Sequence, residues 1–175
     1  LKKQLLGDPC LDVVGHRIPN YFVDRDSLDN KDELTNIGAL ARDMADDEAL
    51  IIFPEGTRFS AEKLAKAIAA LSETAPTRVK SASELRSVLP PRTAGTLAAL
   101  AESNADIVIC NHVGISDISS LQQLRAAIPL QTQLKFKLWR TPRSEVNQTQ
   151  FVQWLDAQWA IVDDWVTNNE DVTSP

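Results

Sequence analysis

The chain has 175 residues, 43% of them hydrophobic, with 18 basic and 24 acidic side chains and a formal charge of −6. That length fills one core comfortably and two poorly, and the acidic balance argues against nucleic-acid binding and against adhesion to anionic lipid by charge alone. No apolar run approaches the roughly 18 residues that a membrane-crossing helix needs, so no transmembrane segment is expected.

In chain order, Leu1-Lys2-Lys3-Gln4-Leu5-Leu6 reads as part of an amphipathic segment without a start or targeting signal, and a strand is expected near Tyr21–Val23. Leu34, Ile37, Leu40, Ala41 and Met44 recur at three- and four-residue steps, which predicts a helix over Lys31–Asp46 with Asp43, Asp46 and Asp47 on its other face. The apolar run Leu50–Phe53 suits a strand buried on both faces. Ser60 is a good N-cap for an Ala-rich helix running to Leu71. The Pro-, Ser- and Thr-richer stretch Ser72–Pro91, with Arg78, Lys80 and Arg86, reads as a surface loop holding a short helix. Another helix is expected after Gly95, over Thr96–Ala101, and then a strand over Asp106–Cys110.

The last third carries all four tryptophans, and Phe151, Leu155, Trp159, Val162 and Val166 keep helical spacing. Asp156, Asp163 and Asp164 place acid on the remainder of that helix, where a membrane-surface helix would carry Lys or Arg. A core or lid helix packed on a sheet is therefore expected, followed by a polar tail, Thr167–Pro175. The alternation of strands and helices predicts βαβ units in an α/β domain with a mixed, largely buried β-sheet flanked by helices. Cys10 and Cys110 lie far apart without metal-ligand spacing, so a reduced cytoplasmic setting with no metal is the simplest inference.

Chemistry concentrates where the apolar run stops. Pro54 and Gly56 turn the backbone out of the expected strand, leaving Glu55, Thr57 and Arg58 at its carboxyl end, the edge where open α/β sheets bind ligands. Arg58 offers a planar fork that grips a phosphate or carboxylate twice, and the amino end of the following helix adds its dipole and free N–H groups. A buried structural Glu55–Arg58 pair is the alternative. Arg25 also ends a strand-like run. Pro90-Pro91 stiffens a connection, and Arg92 after it either pairs locally or touches substrate. His112 and Asp117 stand with four residues between them at the end of an expected strand.

Phe53-Pro54-Glu55-Gly56-Thr57-Arg58 matches, letter for letter, a block of the glycerophospholipid acyltransferases, the family that includes 1-acylglycerol-3-phosphate acyltransferase. Gly15–Arg25 resembles that family's second block, and Val88-Leu89-Pro90-Pro91-Arg92-Thr93-Ala94-Gly95 is similar to its proline-rich fourth block, so the resemblance covers nearly the whole chain. It implies a glycerolipid acyltransferase-like fold. It also implies transfer of a fatty acyl group from acyl-CoA or acyl-carrier protein to the hydroxyl of a lysophospholipid such as 1-acylglycerol 3-phosphate, at the cytoplasmic side of a membrane and without a cofactor. Arg25, Glu55, Gly56, Thr57 and Arg58 would hold the acceptor phosphate, and Arg92 is a further substrate-binding candidate.

The family opens its catalytic region with His, four residues and Asp, ahead of the second block; here Tyr21 stands where that Asp would follow His16. The chain is therefore expected to be a fragment, with residues 1–166 a partial acyltransferase domain that is inactive alone and 167–175 a tail. His112 and Asp117 imitate the missing pair but follow the Phe53–Arg58 block, so they would serve as base and orienter only in a permuted enzyme. A phosphate-binding module without catalysis is the other alternative.

Overall fold

A computed structural model of the chain describes residues 30–114, 121–129 and 133–170. It divides into two compact units, the described part of the first being residues 30–54 and 92–105, and that of the second residues 55–91 and 106–170. The expected strand near Tyr21–Val23 lies outside the described residues.

In the first unit, helix α1 (Asn30–Arg42) packs on a later helix, Ala94–Glu102 (α4 in chain order). The stripe read from the sequence is the packed one, with Ala41 of α1 and Leu100 of α4 buried. Close approach is set by Gly38, where a Cβ would lie 3.1 Å from the Glu102 Cγ and 3.6 Å from the Ala98 carbonyl oxygen. At the end of α1, Arg42 grips the Glu102 carboxylate through Nε at 2.8 Å and a second nitrogen at 2.7 Å.

The run Leu50–Phe53 is not a strand, which corrects the sequence expectation. A buried strand needs neighbours for its backbone N–H and C=O groups, and the strands found among the described residues pair with each other instead. The run is irregular, with Ile51 76% and Phe53 79% exposed. Beyond it, the Pro54 carbonyl accepts the Arg92 N–H at 2.9 Å, joining the two segments of this unit.

The second unit opens with α2 (Ala61–Thr74), in which no residue is buried. A short 3-10 turn (Pro76–Arg78) leads into α3 (Val79–Ser83) and then an irregular segment, 84–91. Strand β1 (Ile107–Val113) pairs antiparallel with β2 (Lys135–Thr141), from Ile107 opposite Thr141 to Val113 opposite Lys135, and α5 (Leu121–Ala126) lies in the connection. The long helix α6 (Phe151–Asn169) closes the chain and packs on β1. Its buried face is the sequence stripe, Phe151, Leu155, Trp159, Val162 and Val166, against Ile109 and Val113 of β1 and Ala82, Leu85, Val88 and Leu89.

Among the described residues the architecture is a mixture of helices with a small two-stranded antiparallel sheet, and the largely buried mixed sheet of βαβ units read from the sequence is not found there. Segment 84–91 is likewise no surface loop, since its apolar side chains Leu85, Val88 and Leu89 fill the core with α6. Helix α6 runs to Asn169, into the stretch read as a tail. Among the described residues, no helix is long and apolar enough to cross a membrane.

Candidate functional site

The Glu55–Arg58 loop is shaped by two backbone devices. Gly56 takes φ +69°, a left-handed conformation that a side chain would strain. Ser60, extended at φ −156° and ψ 152°, caps α2 by accepting the Lys63 N–H at 3.3 Å. Helix geometry then leaves the first-turn N–H groups of Ala61 and Glu62 without an intrahelical acceptor.

Lys63 fixes the loop from the helix side. Its ammonium donates to the Thr57 hydroxyl at 3.1 Å and to the Arg58 carbonyl at 2.9 Å, folding the loop over the first turn. The Arg58 side chain is exposed, and among the described residues its guanidinium has no hydrogen-bond or ion-pair partner. Glu62, the acid in that turn, is drawn to Lys66 at 2.7 Å. A planar, uncompensated cation therefore stands at the positive end of a helix, an arrangement suited to a phosphate or carboxylate.

Glu55 turns the other way, so the Glu55–Arg58 pair left open by the sequence does not form. Its Oε2 accepts the Leu89 N–H at 3.0 Å, which links the loop to the proline-rich segment 34 residues later. Burial pushes its carboxyl above the usual range, opposed by the Leu89 N–H and the Trp159 indole and reinforced by the Asp163 charge. The buried Trp159 Nε1 meets no acceptor in full hydrogen-bond geometry among the described residues, so it acts on Glu55 as a nearby N–H dipole.

Segment 84–91 is held by acids of α6. Asp163 Oδ1 accepts the N–H groups of Arg86, Ser87 and Val88 at 2.8, 2.7 and 3.2 Å. Two turns earlier, Asp156 takes a bidentate ion pair from Arg78 at 2.6 and 2.8 Å, and Arg78 also donates to the Pro91 carbonyl at 2.8 Å. Asp156 and Asp163, read from sequence as the solvated side of the helix, are inward anchors; of the three acids Asp164 alone is widely exposed.

The other sequence candidates are scattered. Arg25 and Asp117 lie outside the described residues. Arg92 belongs to the first unit and its side chain is exposed. His112 lies inside β1, which continues past the expected end to Val113, and its exposed ring leans on Phe136 with centroids 6.1 Å apart. Lys63 was missed as a loop residue; its one sequence signal is its place in the first turn after Arg58. Among the described residues no three His, Cys, Asp or Glu side chains cluster as metal ligands. No protein-family model, curated protein or solved structure matches the chain.

Proposed function

We propose that this chain carries the acceptor-phosphate site of a glycerophospholipid acyltransferase-like enzyme. The observation that supports it is the exposed, unpaired Arg58 guanidinium on a loop held open by Gly56, Glu55 and Lys63 at the amino end of α2. In this reading Arg58 takes two phosphate oxygens and the α2 N–H groups a third. Glu55 acts as a positioning residue through the loop backbone.

The reaction moves an acyl group from the thioester of acyl-CoA or acyl-carrier protein to the acceptor hydroxyl. The hydroxyl oxygen forms the new ester bond, the carbon–sulfur bond breaks, and the hydroxyl proton passes through a general base to the leaving thiolate. The reading implies a glycerolipid acyltransferase-like fold, of which the described residues hold a two-stranded sheet, and an acceptor of this kind would set the reaction at the cytoplasmic face of a membrane. His112 is a poor base here: its ring lies on the outer face of β1 against Phe136. The proposal therefore gives this chain a binding role and assigns no base to it.

The test is equilibrium binding of glycerol 3-phosphate, the soluble head group, against glycerol. Glycerol 3-phosphate should bind and glycerol should not, and Arg58→Ala should weaken binding roughly tenfold or more, as loss of a charge-assisted bidentate contact does. Equal affinity in the variant overturns the assignment. Acyl transfer by the chain that disappears in His112→Ala would replace it with the permuted enzyme.

A further inference from the structure

Arg58 is not the only cation of its loop whose charge goes unmatched. Lys63 is exposed, and among the described residues its ammonium meets neutral oxygens alone, the Thr57 hydroxyl at 3.1 Å and the Arg58 carbonyl at 2.9 Å. Those bonds engage two of its three protons and none of its charge. A third N–H and a whole positive charge are left, held against the backbone of Arg58. The acids nearby are committed elsewhere: Glu62 pairs with Lys66 at 2.7 Å, and Glu55 turns to the Leu89 N–H at 3.0 Å. The loop and the first turn of α2 thus present two uncompensated cations beside the free N–H groups of Ala61 and Glu62, in a chain whose total charge is −6.

Two such charges discriminate between kinds of phosphate. A phosphate monoester carries a charge of about −2 near neutral pH and three terminal oxygens. A phosphodiester, the linkage in lysophospholipids with an alcohol esterified to their phosphate, carries one charge and two terminal oxygens. The Arg58 fork satisfies two oxygens of either ligand, but only the monoester offers a third oxygen and a second charge to the helix N–H groups and Lys63. Both cations are exposed, so water and salt screen the second charge and limit the discrimination it supplies.

We propose that Lys63 is a specificity-determining residue whose charge selects a terminal phosphate monoester over a phosphodiester. This assignment rests on the phosphate-binding reading of Arg58 and goes further, since the resemblance to the acyltransferases leaves the acceptor head group open. One ammonium then has two duties: two of its protons order the loop, and its charge and third proton meet the ligand.

Equilibrium binding to the full chain at about pH 8, well above a monoester's second pKa of about 6, separates the two duties. The probes are glycerol 3-phosphate and its methyl phosphodiester, the same head group with one charge fewer. The parent should prefer the monoester roughly tenfold, and added salt should narrow the preference. Lys63→Met should weaken both ligands, because the loop loosens, and weaken the monoester further, so that the ratio falls to about twofold. Lys63→Arg should keep the ratio. Loss of loop order alone would leave it unchanged, so an unchanged ratio in a Lys63→Met variant with the parent's circular dichroism overturns the proposal. Equal affinity of the parent for both probes overturns it too, while the phosphate site at Arg58 stands. If neither probe binds, the Arg58 reading fails and this one with it. Inorganic phosphate bound as tightly as glycerol 3-phosphate would assign the site to free phosphate and overturn the head-group class.

Discussion

Two irregular segments of the second unit, residues 55–59 and 84–91, differ in where their charges go. Segment 84–91 buries its apolar side chains, and side-chain carboxylates of α6 and Glu55 receive four of its backbone N–H groups. Segment 55–59 is steered by a glycine, an N-cap and a lysine, and it leaves the Arg58 guanidinium without a partner among the described residues. In these two segments carboxylates hold the backbone and an arginine is displayed. An irregular backbone can be buried only when each polar group is matched, so carboxylates with several lone pairs are the economical way to hold it. A ligand site needs the reverse, a held backbone with an unspent charge.

The sharpest way to break this contrast is to remove the central anchor. Asp163, only 3% exposed, serves three N–H groups, and Asp163→Ala removes the acceptor of all three. Denaturant unfolding should show a loss of about 3–5 kcal/mol. Asp163→Asn keeps one accepting oxygen and should lose clearly less. An alanine variant as stable as the parent would mean that segment 84–91 is held by its apolar contacts alone.

How much of this was legible in sequence follows from the range of each interaction. The α6 stripe was readable, because Phe151, Leu155, Trp159, Val162 and Val166 are set by local helical geometry. Asp163 was misread because its partners lie 75 to 77 residues away, and nothing local distinguishes an acid beside the apolar stripe that meets backbone donors from one that meets water. Leu50–Phe53 has the composition of a buried strand, but a strand exists only with a partner, which composition does not supply. Strand β2 was passed over although Leu134-Lys135-Phe136-Lys137-Leu138 alternates with period two. Its apolar residues are the exposed ones, opposite to the usual sense. In the candidate site, the need for a glycine at position 56 and a cap at Ser60 was visible; the link from Glu55 to Leu89 was not.

That link makes a smaller, pH-dependent prediction. Glu55 has a folded carboxyl raised above its unfolded value, chiefly by burial, so across the interval between the two the folded state binds more protons than the unfolded one. Stability from this group is then greatest at low pH and falls as pH climbs from about 4 through the folded value. Glu55→Gln keeps an oxygen for the Leu89 N–H and cannot ionise. Its unfolding free energy should vary less steeply with pH over that interval than the parent's. Identical slopes would place the Glu55 charge in solvent, and the contrast between the two segments would lose its connecting member.

Lys63 carries the smallest expected stability effect and the most informative one. Its two hydrogen bonds are exposed, so water replaces them in Lys63→Ala and unfolding should change by no more than about 1 kcal/mol. Glycerol 3-phosphate binding should nevertheless weaken, because the loop that presents Arg58 loses its tie to the first turn of α2 and must be ordered by the ligand itself. Lys63→Met retains most of the aliphatic stem and should bind as poorly as the alanine variant, whereas Lys63→Arg should recover part of the affinity. If all three variants bind as the parent does, Gly56 and Ser60 suffice to hold the loop. If all three unfold readily, segment 55–59 bears load, and display and scaffold are not divided between the two segments as their hydrogen bonds suggest.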